Sequence, residues 1–343
     1  DYLNRQEQAD LVIKTPSIPP KFMTAKYTTA TNIFFANTKA ITIGITGTKG
    51  KSTTASLTYH VLQKSGKKAY LAGNIGKPML SLVDKVGRGD IVVLELSSYQ
   101  LADVVYSPHI AVILNIYQEL HNHKSLHEYK QAKFNIIKFA KSDDYYVYNP
   151  AFGELKRVST HAQKIPVKLY GEDENTDAAR TICSILGISY KDFDMGSKTY
   201  KSLPHRLQTI GQYREITFIN DSAATHPVST IRALKHANRV KTLICGGLDR
   251  GYDMSHLSKS IRESGVETLI LFPDTGDALE ELLLSDKVRI LKTDDMDLAV
   301  RFAYKHTPKN SICLLSPGAP SYLTFKNFVD RGEQFVHYVR KYA

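Results

Sequence analysis

Short, almost continuously apolar runs alternate with helical patterns along the first part of the chain. Runs that are apolar at consecutive positions indicate strands buried on both faces, as in a parallel sheet covered by helices. A glycine-rich turn follows the first run, and a helix is predicted directly after it, from 52 to 65. The predicted strands of this series are residues 40–46, 68–72, 90–96, 110–116 and 145–149.

A second series of the same kind begins after Pro204, beyond the polar segment 196–204. Its predicted strands are residues 215–220, 242–245, 268–272 and 312–315. Its predicted helices lie near 228–237, 255–264, 276–285 and 296–306, with a last helix from 323 to 341. The length of 343 residues suits two domains. The pattern therefore predicts an α/β fold with two doubly wound, mostly parallel-sheet domains, divided between 204 and 205.

The charge of the chain is positive, with 45 Lys and Arg against 34 Asp and Glu and a net charge of +11. Because these charges are spread along the sequence, we expect basic solvated surface and no nucleic-acid partner. No run of about 18 apolar residues occurs, which predicts no membrane insertion. Cys183, Cys245 and Cys313 stand far apart in apolar contexts, as expected for core residues in a reducing cytoplasm. We expect a cytoplasmic monomer.

The turn after the first strand has the composition of a phosphate-binding loop. In such loops backbone N–H groups and the positive end of a helix face the phosphates, a lysine reaches the outer phosphates, and a Ser hydroxyl binds Mg²⁺. The usual first glycine is absent, because Ile45 stands there and Gly47 supplies the turn. The alternative interpretation is a chance Gly/Lys turn. The predicted ATP-binding residues are Gly47, Thr48, Lys49, Gly50, Lys51, Ser52 and Thr53.

Glu95 ends the third predicted strand. A carboxylate at the carboxyl end of a neighbouring parallel strand is where a Mg²⁺ ligand belongs. The alternative is a solvated residue at the edge of the sheet. Beside a phosphate loop, the metal-ligand interpretation is favoured.

Eight short phrases follow one another in an order and spacing that resemble the Mur ligases. They are residues 46–53, 73–76, 95–101, 129–133, 205–206, 220–222, 246–250 and 315–317. Within that family, Gly73-Asn-Ile-Gly76, Glu95-Leu-Ser-Ser-Tyr-Gln-Leu101 and the ending 326–335 resemble the members that add D-glutamate to UDP-N-acetylmuramoyl-L-alanine. The resemblance covers about residues 9–343.

The resemblance implies peptide-bond formation driven by ATP with Mg²⁺, in peptidoglycan precursor synthesis. The substrate carboxylate would attack the γ-phosphate to give an acyl phosphate, which the amine of D-glutamate would then attack. The implied domains are a remnant of an N-terminal UDP-substrate domain and linker at 1–37, a P-loop-type ATP-binding domain at 38–204, and a Rossmann-like amino-acid-binding domain at 205–343.

The resemblance also assigns roles to individual residues. It implies that Lys51, Glu95, Lys133 and His205 are catalytic, and that Lys133 is the lysine that the family carbamylates. The alternative for Lys133 is an ordinary solvated helix lysine. Further nucleotide contacts are implied for Asn175, Arg206 and Asp221. Substrate contacts are implied for Asn74, Ser97, Ser98, Gln100, Arg250, Ser321, Tyr322 and Phe328, where the alternative is a helix cap or a surface pair.

The chain departs from the family pattern at several places. The family expects a metal-binding His after the fourth strand, but here residues 117–123 are one residue short, and Glu119 or His121 is the candidate ligand. Ala223 stands where a lysine is expected, and Leu323 replaces an acidic residue. Residues 150–204 are short for the remainder of the central domain, and only a remnant of the usual N-terminal domain is recognisable, so we expect a chain truncated at its N-terminus.

Two alternatives to the D-glutamate-adding ligase follow. One is another ligase of the same superfamily, such as one that adds L-alanine, a diamino acid, or glutamates to folate. The other is a nucleotide-binding partner protein that has lost catalysis, which Ala223 and the altered 119–123 run would favour.

Overall fold

The computed structural model describes residues 2–117, 123–170, 173–284 and 287–343. The chain divides into two compact units, Asp1–Lys201 and Ser202–Ala343. Both units are α/β folds with helices packed on a central, mostly parallel sheet, so the predicted fold class is confirmed. No helix among the described residues is long and apolar enough to cross a membrane.

Unit 1 is built on a six-stranded parallel sheet. A short parallel pair, β1 and β2, precedes it. The strands are β1 Val12–Lys14, β2 Tyr27–Thr29, β3 Ile41–Thr46, β4 Ala69–Gly73, β5 Ile91–Glu95, β6 Ile110–Ile113, β7 Tyr145–Tyr148 and β8 Gln163–Pro166. The order in the main sheet is β4-β5-β3-β6-β7-β8. The helices are α1 Ala30–Asn37, α2 Lys51–Lys64, α3 Ser98–Leu101, α4 Leu126–Lys138, α5 Gly153–Arg157, α6 Glu174–Ile185 and α7 Tyr190–Lys198, with 3₁₀ turns at Tyr2–Gln8, Pro20–Phe22 and Met79–Leu82.

All five strands predicted for this unit are present, with ends that differ by at most a few residues. Their apolar side chains fill one core on each face of the sheet, which explains why the sequence shows unbroken apolar runs. The strand β8 was not predicted. It lies at the sheet edge and three of its four residues are exposed, so it has no apolar run to reveal it.

Unit 2 has a second six-stranded sheet, in the order β13-β12-β11-β14-β10-β9. Its strands are β9 Gln208–Tyr213, β10 Ile216–Asn220, β11 Val240–Gly247, β12 Thr268–Asp274, β13 Arg289–Lys292 and β14 Ser311–Leu315. Its helices are α8 Pro227–His236, α9 Ser255–Glu263, α10 Thr275–Leu283, α11 Met296–His306 and α12 Phe328–Lys341. The two edge strands, β9 and β13, were not predicted, and β9 is the one antiparallel strand of this sheet.

The last helix starts later than predicted. The sequence pattern suggested 323, but α12 begins at Phe328 because the Asn327 side chain accepts hydrogen bonds from the amides of Val329 and Asp330 and so caps the helix. The three cysteines are buried and unpaired, as predicted. Burial raises the pKa of the Cys183 and Cys245 thiols to about 12, so both are inert core residues.

One fully buried charge holds α12 against the sheet of unit 2. The guanidinium of Arg331 donates two hydrogen bonds to the carbonyl of Ala319, at 3.1 Å each, and one to the carbonyl of Ser222, at 3.0 Å. Its Nε donates to the hydroxyl of Ser222 at 3.0 Å. The planar guanidinium thus joins the loops after β10 and β14 to the last helix.

The next position on the helix, Gly332, leaves no room for a side chain. A Cβ there would overlap the imidazole of His205, while the carbonyl of Gly332 accepts a hydrogen bond from Asn220 Nδ2 at 3.0 Å. The backbone of α12 therefore sits directly against His205 and Asn220.

Replacing Arg331 by Ala is expected to destabilise unit 2 by about 3–5 kcal/mol, because the buried carbonyls of Ala319 and Ser222 lose their donors and a cavity remains. Urea unfolding followed by far-UV circular dichroism measures the change. The matched control is Arg340→Ala on the exposed face of the same helix, for which about 0.5 kcal/mol or less is expected. Equal losses in the two variants would contradict the anchoring role of Arg331.

Candidate active site

The glycine-rich loop lies where the sequence predicted, between β3 and α2. Gly50 occupies the N-cap position of α2 in the left-handed region, with φ 86°, and no side chain caps the helix there. A Cβ on Gly50 would overlap the side-chain oxygen of Asn175, so only glycine fits. The first turn of α2 therefore presents backbone N–H groups and the positive end of a helix, as an anion site requires.

The ammonium of Lys51 is folded back into this loop. It donates to the carbonyl of Gly47 at 3.0 Å and to the carbonyl of Thr48 at 2.9 Å. Ser52, the next residue, is buried at the start of the helix. The loop therefore holds a positive charge at its centre.

Two residues that were not among the predicted site residues, Asn115 and Tyr129, hold the loop in place by hydrogen bonds. Asn115 follows β6, and its side-chain oxygen accepts from the amide of Lys49 at 2.8 Å while its Nδ2 donates to the carbonyl of Lys49 at 3.0 Å. The hydroxyl of Tyr129 on α4 lies 2.9 Å from the hydroxyl of Thr48. The position of Asn115 at the carboxyl end of a strand next to β3 was the signal that could have identified it.

Lys133 is buried beside the same loop. It is 1% exposed, and its ammonium donates to the carbonyl of Gly47 at 2.8 Å and lies 4.6 Å from the ring centre of Tyr129. The alternative interpretation of Lys133 as a solvated surface lysine is therefore wrong. Lys51 and Lys133 approach the carbonyl of Gly47 from different helices.

Glu95 ends β5, directly beside β3, where Ile45 is its partner in the sheet register. Its side chain is 1% exposed, so the alternative of a solvated edge residue is wrong. Its Oε1 accepts from Asn74 Nδ2 at 2.9 Å, whereas its Oε2 is buried and has no hydrogen-bond partner among the described residues. A buried carboxylate oxygen left without a donor fits a cation ligand.

The candidate Mg²⁺ ligands within the described residues are Ser52 and Glu95. Glu119 and His121, the other predicted ligands, lie outside the described residues. Among the described residues no group of three or more His, Cys, Asp or Glu side chains could hold a metal. One hydroxyl and one carboxylate suit Mg²⁺, which keeps several waters and takes further ligands from phosphate oxygens.

Three of the predicted substrate contacts lie at α3: Ser97 is its N-cap, and Ser98 and Gln100 belong to the helix. Ser97 and Gln100 form a capping box: the amide of Ser97 donates to Gln100 Oε1 at 2.9 Å, and the amide of Gln100 donates to Ser97 Oγ at 3.3 Å. Both side chains thus have a structural role as a helix cap. Ser98 Oγ lies 2.9 Å from Nε2 of His123, which also stacks on Tyr99 with ring centres 5.4 Å apart.

Asn175 lies at the start of α6, next to the loop. Its Oδ1 accepts from the hydroxyl of Thr54 at 3.4 Å and faces Gly50. Unit 1 therefore brings Asn175, the loop, Glu95 and Lys133 together.

Unit 2 brings together His205, Arg206 and Asp221. The amide of Leu207 and the hydroxyl of Ser316 donate to the Asp221 carboxyl at 3.1 and 2.8 Å, yet burial raises its pKa to about 7. His205 is held in the left-handed region, with φ 62°, and its Nδ1 lies 3.0 Å from Asn220 Nδ2. Burial lowers the pKa of His205, so its imidazole is neutral at pH 7.

The remaining candidates of unit 2 follow two adjacent strands, β11 and β14. Arg250 is exposed in the loop after β11, and the amide of Leu248 in that loop donates to the carbonyl of Pro320 at 2.9 Å. Ser321, beside Pro320, is buried, while Tyr322 is 62% exposed. Phe328 is partly exposed at the start of α12 and packs edge-on against His205.

Comparison with known proteins gives matches in both units. Residues 45–214 match the Mur ligase middle domain and residues 205–318 match the Mur ligase, glutamate ligase domain. A Thermosipho melanesiensis UDP-N-acetylmuramoylalanine–D-glutamate ligase is 36% identical over 85% of this chain and 71% of its own length. A Listeria monocytogenes protein with the same name is 32% identical over 96% of this chain and 82% of its own length.

Solved structures agree at the level of the fold. The MurF ligase of Thermotoga maritima in complex with ADP superimposes with a TM-score of 0.70 at 18% identity, over 91% of this chain and 82% of that chain. E. coli FolC in complex with DHPP and ADP gives 0.64 at 14% identity, over 99% and 96% of the two chains. With its two domain matches and its close curated relatives, the chain belongs to the Mur ligase family of ATP-dependent, ADP-forming ligases.

Proposed function

We propose that this chain joins D-glutamate to UDP-N-acetylmuramoyl-L-alanine in the cytoplasm, as a step of peptidoglycan precursor synthesis. The names of its curated relatives and the extent of the matches support this assignment. The observation that carries the chemistry is the pair of lysine ammoniums, Lys51 and Lys133, that converge on the phosphate loop beside Glu95.

The reaction has two displacements. A carboxylate oxygen of the L-alanyl group attacks the γ-phosphorus of ATP, and ADP leaves. The amine of D-glutamate then attacks the acyl carbon, the C–N bond forms, and phosphate leaves while the amine loses a proton. Both steps move negative charge among oxygens, so catalysis rests on positioning and on electrostatic stabilisation.

In unit 1, the amides at the start of α2 and the ammonium of Lys51 bind the phosphates. The ammonium of Lys133 reaches the same loop carbonyl, that of Gly47, from α4. If Lys133 is carbamylated like its counterpart in the family, a carboxylate-like group would stand there instead. Ser52 and Glu95 would hold Mg²⁺, which neutralises charge on the phosphate oxygens during transfer. Asn175 lies beside Gly50, within reach of a nucleotide bound to the loop.

In unit 2, His205, Arg206 and Asp221 are the proposed contacts to the nucleotide. Arg206 supplies a positive charge. His205 offers a neutral imidazole, because burial lowers its pKa, and Asp221 offers a carboxyl group whose pKa burial raises to about 7. The proposed contacts to D-glutamate are Arg250 on the loop after β11, Ser321 and Tyr322 on the loop after β14, and Phe328 at the start of α12. The cation of Arg250 suits a carboxylate of the incoming amino acid.

The decisive measurement is ADP release by this chain with ATP, Mg²⁺, UDP-N-acetylmuramoyl-L-alanine and an amino-acid panel. We expect D-glutamate to stimulate release, while L-glutamate, L-alanine and meso-diaminopimelate do not. Stimulation by another member of the panel would favour a different ligase of the superfamily. If calorimetry shows that ATP binds but no amino acid stimulates ADP release, the alternative of a nucleotide-binding partner protein without catalytic activity, which Ala223 suggests, would be favoured.

Replacing Glu95 by Gln is expected to raise the Mg²⁺ concentration for half-maximal ADP release about tenfold or more, because the unpartnered Oε2 loses its charge. The amide keeps an oxygen that can accept from Asn74, so the fold should survive. A Mg²⁺ titration measures the effect, and thermal melting monitors folding. Asp84→Asn, at an exposed position of the same unit, is the control. An unchanged Mg²⁺ dependence in the Glu95 variant would exclude Glu95 as a ligand.

A further inference from the structure

Lys14 is a lysine on β1 whose side chain is completely buried. Its ammonium forms an ion pair with Asp103 Oδ2 at 3.0 Å. It also donates to the carbonyl of Ile18 at 2.7 Å and to that of Thr15 at 3.4 Å. A buried charge is unfavourable unless it is paired and hydrogen-bonded, so these partners fix its position tightly.

The carbonyls that Lys14 binds belong to the loop 15–20, in which Ile18 and Pro19 are half-buried and the other residues are exposed. The amide of Ile18 donates to the carbonyl of Thr15 at 3.2 Å, and the hydroxyls of Thr15 and Ser17 lie 3.1 Å apart. These contacts are local turns that do not connect the loop to the rest of unit 1. Lys14 makes that connection, because it joins the loop to Asp103, two residues after α3.

Asp103 is itself held firmly. Its backbone carbonyl accepts from Asn32 Nδ2 at 3.0 Å, and the amide of Val105 donates to Asn32 Oδ1 at 3.0 Å. Asn135 on α4 donates to the carbonyls of Leu101 and Ala102, at 3.0 and 3.1 Å. The ion pair therefore ties the loop to a rigid point at the end of α3.

The loop forms one wall of a cavity of about 180 Å³. Pro16, Ser17 and Pro19 line this wall, and the facing side chains include Tyr99, His123 and Gln131. The mixture of proline and aromatic surface with amide and imidazole groups suits a polar, ring-containing molecule such as a sugar.

A chain of side-chain contacts runs from the cavity lining to the phosphate loop. His123 packs edge-on against Tyr129, with ring centres 5.4 Å apart, and the Tyr129 hydroxyl contacts Thr48 of the loop. His123 also contacts Ser98, three residues after Glu95. An acceptor whose carboxylate reaches the γ-phosphate would have its remaining part beside this wall.

We infer that Lys14, through its ion pair with Asp103, is a positioning residue that holds the 15–20 loop as a wall of the binding site for the sugar-bearing acceptor. The inference rests on the proposed function for the identity of that acceptor. It assigns Lys14 no contact with the reacting atoms. Loss of the ion pair should therefore weaken acceptor binding and leave the phosphate loop intact.

The test uses the double variant Lys14→Met/Asp103→Asn, which removes both charges and keeps the bulk of both side chains. We expect its KM for UDP-N-acetylmuramoyl-L-alanine to rise about tenfold, with kcat and the KM for ATP within about twofold of the wild type. The control is Lys26→Met, an exposed lysine of the same segment, which should change none of them. Unchanged acceptor KM, or a parallel change in the KM for ATP, would overturn the inference.

Two further measurements separate this inference from the proposed function. Calorimetric titration with UDP-N-acetylmuramoyl-L-alanine reports acceptor binding even if D-glutamate-dependent ADP release is absent. We expect the double variant to bind this acceptor about tenfold more weakly than the wild type. Equal binding by the two proteins, or no binding by the wild type, would contradict the inference.

In the double variant, trypsin cleavage after the exposed Lys21, next to the loop, should be faster than in the wild type, while cleavage after the exposed Arg88 should not change. Equal acceleration at both sites would indicate general destabilisation instead.

Discussion

The carbonyl oxygen of Gly47 accepts hydrogen bonds from two lysine ammoniums, and the site is organised around that point. Lys51 reaches it at 3.0 Å from α2 and Lys133 at 2.8 Å from α4. Two like charges so close together, one of them almost fully buried, repel each other in a medium that screens them weakly. The repulsion is offset when an anion binds between them. A nucleotide phosphate bound at this point would interact favourably with both ammoniums, and because only the folded chain brings the two lysines together, such binding would also stabilise the fold.

The parallel sheet explains how residues far apart in sequence meet there. In unit 1 the carboxyl ends of β3, β5 and β6 lie side by side, with Ile45 opposite Glu95 and Thr46 opposite Ile113. The loop after β3, the carboxylate at the end of β5 and Asn115 after β6 therefore share one edge, the usual place for ligands in such folds. Unit 2 repeats the arrangement, since the loops that carry Arg250 and Ser321 follow neighbouring strands.

The buried centre of each sheet could be predicted from the sequence, and so could the loop and Glu95, because apolar runs and strand ends are local signals. The edge strands β8, β9 and β13 could not, since their residues are exposed or only half-buried and include polar ones that interrupt any apolar run. The resemblance singled out Lys133, but the burial of Lys133 and of Lys14 could not be derived from the sequence pattern. Their burial depends on partners from distant segments, Asp103 for Lys14 and the Gly47 carbonyl for Lys133, and no periodicity along one helix or strand encodes such a pairing. Glu119 and His121 stay predictions.

The close fit of Gly332 against His205 has a consequence for the order in which the protein can be made. His205 stands at the beginning of unit 2, and the helix that packs on it is the last of the chain. During synthesis the left-handed backbone at His205 has no α12 to pack against until α12 itself has been made. The amino-terminal unit can complete its phosphate loop earlier. A nascent chain should thus complete the phosphate loop of unit 1 before His205 of unit 2 reaches its final packing.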